Sequence, residues 1–360
     1  MMILSTTLLL SSLLAPLPQQ DAVILQPDAI VAADGSLQEG MSVVVRDGRI
    51  VEVAAEPTTA GTTLRLSGVL APGMIDAFSG RGADRLLTEQ SFQTTPGLRA
   101  VDGLQLSSPI WESLMARGVT AVHVTPDATN VVSGWGTLVS TGGSERVIES
   151  KTRMIGSLVQ SAVNDNRVGP SSLAGAVEVL ESAFADGAAK DYRNNMWFFV
   201  ESAESARAME NLTADLKDSN NHAILMGDVG TFGGAFTGEL VGLPTMSYGA
   251  LARRAATWKL MHKAEVRFAF GTRAGNREWD SLRTSAMALS RFTGSAAAAW
   301  ASVTSNPAEM LGMEKEVGSL VAGARADLVL WTGHPLDSTA SVSAVFIDGK
   351  TAYRATSEEN

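Results

Sequence analysis

Short apolar runs alternate with helical segments through the middle of the chain, and this alternation limits the fold more than any other feature. Residues 69–312 hold eight such runs, which read LAPGMIDA, VTAVHVT, WGTLVST, RMIGSLV, MWFFVE, HAILMGD, LVGLPTMS and VRFAFGT. Helix candidates lie between them, for example SSLAGAVEVLESAFADGAAKDY and YGALARRAATWKLMHKA. Eight strands that alternate with helices predict an α/β fold with a parallel (β/α)8 TIM-like barrel, whose chemistry lies where the strands end and the next loops begin.

The two ends of the chain carry a different pattern. In residues 22–68 and 313–355, short β-branched runs are separated by turn signals, which are Asp34-Gly35, Glu39-Gly40, Asp47-Gly48, Ala322-Gly323 and Asp348-Gly349. Such runs predict antiparallel strands. Neither end holds enough strands for a stable sheet alone. We therefore expect a small composite β-sandwich domain built from both ends, beside a barrel that spans residues 69–312.

Composition excludes several classes of function. The chain has a formal net charge of −10, so nucleic acid and anionic membranes are not its expected partners. It has no cysteine, which excludes disulfides and thiolate metal sites. Only four histidines are present, His123, His222, His262 and His334, and no two have the spacing of metal ligands on one face.

The first residues predict export. Met1 to Leu14 is an apolar run broken only by Ser and Thr, and it is too short to span a bilayer comfortably. We interpret residues 1–21 as a signal peptide, which implies a periplasmic or extracellular protein. The alternative is an anchored or merely hydrophobic N-terminus. No other segment is apolar enough to predict a transmembrane helix.

Several segments resemble one known family. VVVRDGRIVEVAAE, GVLAPGMIDA, SNPAEMLGMEKEVGSLVAGARADLVLWTGHPLD and VSAVFIDGKTAY occur in the order and spacing of the amidohydrolase superfamily, and more closely of its imidazolonepropionase-like branch. The resemblance implies a (β/α)8 barrel beside a composite β-sandwich. It also implies hydrolysis of carbon–nitrogen bonds in rings or amides, with one or two divalent metals such as zinc that activate a water molecule.

The family's metal ligands are replaced in this sequence. The family pattern PGxIDxHxH begins here at Pro72. The ligand positions carried over from the resemblance hold Phe78 and Gly80 for the first-strand histidines, Ser140 for the strand Lys in GTLVST, Glu201 at or beside the fifth-strand His, Gly227 near the sixth-strand His, and Arg273 for the eighth-strand Asp. We therefore expect a degenerate metal site that binds no metal cofactor.

Arg273 is the least compatible of these replacements. Repulsion between a guanidinium and a divalent cation at roughly 4 Å is about 8 kcal/mol at an effective dielectric constant of 20. Arginine does not deprotonate to escape this repulsion. Because a lone buried charge is costly, we predict that Glu201 and Arg273 form a partly buried ion pair in the space of the metal. Phe78 is expected to fill the same pocket with apolar volume.

Other candidates for chemistry lie at the barrel mouth. The carboxylates Asp76, Glu201 and Asp228 are candidates for acid–base work, with the alternative that Asp76 holds backbone N–H groups and Asp228 caps a turn. His123, late in the second strand, has either a hydrogen-bonded structural role or a role in the pocket. STGGSE and GDVGTFGG do not match a phosphate-binding loop, and GWGTL lacks the elbow of a serine hydrolase.

Three functions remain open at this point. The first is a pseudoenzyme that acts by assembly, as a homo-oligomer or with an active amidohydrolase. The second is a protein that holds a small-molecule ligand in the old pocket without turnover. The third is a working hydrolase of non-peptide C–N bonds, of the cyclic amide or imidazolone type, with an atypical or metal-free site. Fold alone does not choose among them.

Overall fold

The computed structural model describes residues 21–83, 87, 89, 91–163, 169–185, 190–216, 220–226, 240–244, 248–273 and 281–356. The strands are β1 (Ala22–Val31), β2 (Leu37–Glu39), β3 (Ser42–Arg46), β4 (Arg49–Ala54), β5 (Gly61–Pro72), β6 (Met74–Ser79), β7 (Val119–Val124), β8 (Val132–Trp135), β9 (Thr137–Ser140), β10 (Val147–Glu149), β11 (Met154–Leu158), β12 (Met196–Val200), β13 (His222–Leu225), β14 (Leu240–Pro244), β15 (Arg267–Gly271), β16 (Leu328–Trp331), β17 (Val342–Ile347) and β18 (Lys350–Arg354). The helices are α1 (Ile110–Met115), α2 (Gln160–Val163), α3 (Leu173–Ala185), α4 (Lys190–Arg193), α5 (Ala203–Thr213), α6 (Tyr248–Lys263), α7 (Ser281–Thr293), α8 (Ala296–Ala301) and α9 (Ser305–Leu311).

Both ends of the chain build one eight-stranded sheet, in the order β18-β17-β16-β5-β1-β3-β4 with β2 paired to β1. The pairs are antiparallel except for β1 and β5, which run parallel. The predicted Asp-Gly turns lie at hairpin tips: Asp47, Gly48, Asp348 and Gly349 all have positive φ, the conformation that two-residue hairpins require. A β-rich part made from both chain ends is therefore confirmed, with a mixed sheet where antiparallel pairing was predicted.

The middle of the chain forms the predicted TIM-barrel-like part. β6 pairs parallel with β7, and β11 to β15 pair in order as five parallel strands. The carboxyl end of β15 reaches β6, since the Arg273 backbone N–H donates to Phe78 O at 3.0 Å. In the described residues, β6 and β15 are not joined by a strand ladder, so the sheet is not one closed hydrogen-bonded ring.

One predicted strand runs in the opposite direction. WGTLVST forms β9, which is antiparallel to β7, while the preceding β8 is antiparallel to β11. The connection from β7 to β8 covers only residues 125–131. Parallel strands need a crossover of a dozen or more residues, so this short loop permits only an antiparallel return. The expectation that all eight strands are parallel and alternate with helices is therefore wrong at this point.

Apolar residues are divided between the two faces of the barrel strands. Ile75, Phe78, Ile155, Trp197 and others form an interior cluster. Their strand neighbours, such as Met74, Met154 and Phe198, pack outward under the helices in a second cluster. Because successive strand residues point to opposite faces, strands buried on both faces read as continuous apolar runs, which is why these runs stood out in the sequence.

The two parts of the molecule are joined at Gly73, between β5 and β6. A Cβ there would lie 1.9 Å from Thr120 Oγ1 of β7, so only glycine fits. The first βα segment is irregular, because the first α-helix after β6 in the described residues is the six-residue α1. The signal-peptide prediction falls on residues 1–21, of which only Asp21 is described. Across the described part of the chain, no helix combines the length and the hydropathy needed to cross a bilayer.

A buried carboxylate fastens the segment before β16 to the tip of the β17–β18 hairpin. Asp327 is 6% exposed, and its oxygens accept the Asp348 backbone N–H at 2.9 Å and Arg325 Nε at 3.0 Å. Arg325 also contacts the Asp348 carboxylate at 2.6 Å. Burial raises the pKa of Asp327, and the adjacent Arg325 charge opposes that rise.

We expect Asp327→Ala to lower the free energy of unfolding by about 2–4 kcal/mol, because it leaves the partly buried Asp348 N–H without an acceptor and removes one of the two carboxylates that contact Arg325. Urea denaturation measures the change. Asp102→Ala is the matched control, because it removes the exposed carboxylate of the Arg99–Asp102 pair and should cost less than about 1 kcal/mol. Equal losses in the two variants would contradict the structural role of Asp327.

Candidate active site

A cavity of 160 Å³ lies at the carboxyl ends of the barrel strands. It is lined by the 125–129 loop after β7, Ser161 after β11, Phe199 on β12 and Arg273 after β15. These residues come from four strands of the barrel-like part, at the end where TIM-barrel enzymes place their chemistry. We call this space the mouth cavity.

Arg273 supplies the positive charge of the mouth cavity. Its backbone has φ of 57°, a left-handed conformation that costs a non-glycine residue energy, and its N–H is held by Phe78 O. Partial burial lowers the pKa of the guanidinium, while the nearby carboxylates of Asp127 and Glu201 act in the opposite direction. Arg273 therefore stands close enough to two carboxylates to be influenced by their charge.

The predicted ion pair between Glu201 and Arg273 does not form. Among the ion pairs of the described residues, with nitrogen and oxygen within 4 Å, none joins these two side chains. Glu201 Oε1 instead accepts the Gln160 backbone N–H at 2.5 Å. The physical reason is that Gln160 begins α2, where the first N–H groups of a helix have no partner within the helix and attract a carboxylate.

Asp127 is a mouth residue that we did not single out from the sequence. Its Oδ1 accepts Thr129 Oγ1 at 2.6 Å and the Thr129 N–H at 3.2 Å, which shapes the loop that lines the cavity. A signal was available, because Asp127 follows the buried run VTAVHVT by two residues, where a barrel strand ends. Ser161 and Phe199 gave no comparable signal.

Phe78 fills the barrel interior below the mouth. Its side chain is 0% exposed, and its ring meets Phe199 edge-on with centroids 6.3 Å apart. Two glycines make room for it: a Cβ on Gly242 would lie 2.9 Å from Phe78 Cε1, and one on Gly271 would lie 2.6 Å from Phe78 Cδ1. The expectation of apolar volume at this position is met, and Gly80, also buried, lies just beyond β6 in the following turn.

Asp76 holds the end of β15 rather than a ligand. Its carboxylate is fully buried and accepts the Thr272 N–H at 2.8 Å and Thr272 Oγ1 at 2.5 Å. Thr272 Oγ1 lies 2.9 Å from Ser79 Oγ and accepts Arg81 Nε at 3.2 Å. Burial raises the pKa of Asp76 to about 6, and the Thr272 hydrogen bonds and the Arg81 charge limit the rise. The structure thus favours the interpretation that Asp76 holds backbone N–H groups over the interpretation that it does acid–base work.

The His123 side chain points inward, and both of its ring nitrogens have hydrogen-bond partners. Nδ1 lies 2.8 Å from Ala77 O, and Nε2 lies 2.6 Å from Thr152 Oγ1. The ring packs edge-on against Trp197 with centroids 4.6 Å apart. Burial lowers the pKa of His123 to about 3, with a further contribution from the Arg153 charge. These contacts favour its structural interpretation.

Ser140 lies away from the mouth. It pairs with Ala121 in the amino half of β7, because β9 is antiparallel and its carboxyl end therefore lies at the opposite end of the barrel. The expectation that Ser140 shares a site with Glu201 and Arg273 is wrong for this reason. Gly227 and Asp228 lie outside the described residues. The structure thus brings Glu201 and Arg273 to one mouth, together with Asp127.

The fit between Phe78 and Gly242 yields a test by double substitution. Phe78→Ala should cost about 3–5 kcal/mol of unfolding free energy, and Gly242→Ala about 1–3 kcal/mol through overpacking. The double variant should lose at least about 1 kcal/mol less than the sum, because the new methyl enters the space left by the ring. Chemical denaturation of all four proteins measures this coupling.

Gly97→Ala is the control for that cycle, since a Cβ at Gly97 meets nothing within 4 Å. It should be nearly neutral and additive with Phe78→Ala. Additivity between Phe78→Ala and Gly242→Ala would show that the interior is not built around the ring.

The raised pKa of Asp76 predicts a particular pH dependence. A carboxyl that titrates near 6 when folded and near 3.9 when unfolded stabilises the fold at low pH and loses that contribution as pH rises through 6. Asp76→Asn removes this contribution. On acidification from pH 7 to 4.5, the variant should therefore lose about 2 kcal/mol more stability than the wild type.

Denaturation curves at several pH values check this difference in slope. Glu178→Gln, which removes an exposed carboxylate on α3, should leave the wild-type slope unchanged. Parallel curves for wild type and Asp76→Asn would contradict the assignment of a buried, high-pKa carboxyl.

Comparison with known proteins agrees with this architecture. The model of the amidohydrolase family matches residues 175–352, which run from α3 to β18 and leave the β6 strand outside the match. Amidohydrolase tasK of Hapsidospora irregularis is 45% identical over 56 residues. That stretch is 16% of this chain and 6% of the fungal protein, so the chain spans only a small part of that relative.

Solved structures share the fold across nearly the whole chain. An amidohydrolase from Thermotoga maritima superposes with a TM-score of 0.76 at 19% identity, covering 92% of this chain and 100% of that one. A prolidase solved with N-methylphosphonate-L-proline gives 0.61 at 16% identity, with 93% and 100% covered. Phenylurea hydrolase B gives 0.59 at 16% identity, with 92% and 97% covered. Taken together, the family match over residues 175–352 and the shared barrel-plus-sheet architecture show that the chain is similar to the amidohydrolase superfamily.

Proposed function

We propose that this protein has lost the metal-dependent hydrolysis of its superfamily and acts by binding, either to a small molecule or to an active relative in an assembly. The observation that carries the proposal is the position of Phe78. A fully buried phenyl ring stands where the resemblance assigns the first metal ligand, and glycines on β14 and β15 accommodate it. Because two neighbouring strands carry glycines where they contact the ring, the change involves the packing of the whole interior and not only the loss of one ligand.

The described residues do not fit a divalent metal. Such ions need several nitrogen or oxygen ligands that converge on one point. Among the residues that the structure describes, no group of three or more His, Asp or Glu side chains converges in this way. The two nitrogens of His123 are already engaged, and the guanidinium of Arg273 follows β15, where the resemblance places a carboxylate.

The mouth cavity supports a binding role. It remains open above Phe78 and combines an aromatic floor, Phe199, with charged groups at the rim. A concave site with an apolar wall and a few polar groups is the usual form of a small-molecule site. Loss of the metal therefore leaves a space that is still shaped to hold a ligand.

We expect the purified full-length protein to retain well under one zinc ion per ten chains after incubation with a tenfold excess of Zn²⁺ and desalting. The reason is the repulsion between Arg273 and a cation, together with the filled interior. Elemental analysis by mass spectrometry measures the content, and a zinc-containing amidohydrolase treated in parallel is the control. One retained zinc per chain would overturn the proposal and would instead support a working hydrolase of non-peptide C–N bonds.

A further inference from the structure

The charges around the mouth cavity define the kind of molecule that it suits. Arg273 lines the cavity, and no ion pair among the described residues includes its guanidinium. A guanidinium offers two parallel N–H donors to a carboxylate. One end of a ligand is therefore expected to be a carboxylate.

A simple anion is nevertheless a poor match. Asp127 lines the same cavity, and Glu201 lies near enough to act on the charge of Arg273. Because charge interactions weaken as the inverse of distance, two carboxylates at twice the contact distance oppose an anion as strongly as one guanidinium in contact attracts it. A ligand that also carries a positive group turns this opposition into attraction.

The remaining walls call for a compact apolar body. Phe199 forms one wall, and Pro126 and Ala128 contribute apolar surface from the loop after β7. The cavity volume of 160 Å³ is close to that of a protein cavity of about 150 Å³ that holds benzene, so it accepts roughly six to nine non-hydrogen atoms. This volume suits a small molecule or one side-chain-sized group.

We propose that the mouth cavity binds a small zwitterion with an apolar body, with its carboxylate on Arg273, its ammonium group toward Glu201 and Asp127, and its apolar part against Phe199. This ligand class deepens the proposed binding function and rests on it, because a metal and its water would occupy the same mouth. Gln160 holds Glu201 Oε1 through its backbone N–H, so Oε2 is the oxygen that we assign to the ligand.

Three molecules of similar size separate the charges of the ligand. L-Leucine carries both groups, 4-methylpentanoate has the same skeleton without the amine, and 3-methylbutylamine lacks the carboxylate. Calorimetric titration of the full-length protein at pH 7.5 should give saturable binding of leucine. We expect each of the other two compounds to bind at least tenfold more weakly.

Two variants assign the charges to residues. Arg273→Gln should weaken leucine at least tenfold, whereas Arg207→Gln, which removes an exposed arginine on α5, should change it less than twofold. Glu201→Gln keeps an acceptor for Gln160 and should weaken leucine about fivefold, while 4-methylpentanoate binds as well as before or better. Circular dichroism confirms that the variants are folded.

Several results would overturn the zwitterion site. These are no saturable binding of leucine, equal binding by Arg273→Gln and wild type, or equal binding of leucine and 4-methylpentanoate, which would indicate a plain anion site. The zinc measurement is independent of all three. If the protein retains no zinc and does not bind leucine, only the zwitterion site is refuted. If it retains stoichiometric zinc, the proposed loss of hydrolysis is refuted.

Discussion

The packing of the Phe78 ring against the backbones of two other strands is the contact on which the rest of the barrel interior depends. Gly242 and Gly271 approach the ring so closely that a Cβ on either would lie less than 3.0 Å from it, and Phe199 closes a third side. Protein interiors are packed as densely as organic crystals, so a ring of this size fixes the spacing of the strands around it. The interior of this protein is therefore specified by an aromatic side chain, at a position to which the resemblance to amidohydrolases assigns a polar ligand.

The polar groups near the ring are arranged to support the strands. Asp76 fastens the residue after β15 to β6 through Thr272, and His123 fastens β7 to the carbonyl of Ala77 and to Thr152. Each buried polar atom in these contacts has a partner, as buried groups require. Burial disfavours the charged form of both side chains, so it raises the pKa of Asp76 and lowers the pKa of His123. A perturbed pKa at a barrel mouth thus reflects the cost of a structural fastening here, and does not by itself mark a catalyst.

Much of the fold could be predicted from the sequence, because strands buried on both faces read as apolar runs and Asp-Gly pairs mark hairpins. The direction of β9 could not be predicted from its own residues, since WGTLVST fits a parallel or an antiparallel strand equally well. The length of the preceding loop decides it, and that loop also carries Asp127. The predicted place of Ser140 at the mouth was wrong because β9, the strand that carries it, runs in the opposite direction. The pair between Glu201 and Arg273 failed for a different reason: the backbone N–H of Gln160, which carries no sequence signature, competes for the carboxylate.

The absence of the predicted ion pair bears on the charge of the mouth cavity. A tight ion pair between Glu201 and Arg273 would have neutralised the site and left a filled, inert mouth. Because Glu201 is held by a helix terminus instead, it stays near Arg273 without pairing with it, and Arg273 lines the mouth cavity together with Phe199. Separated charges around a partly apolar cavity retain electrostatic energy that a ligand of matching charge pattern can recover on binding. The proposed binding function therefore rests on the charges at the ends of β12 and β15, where Glu201 and Arg273 follow their strands without forming an ion pair.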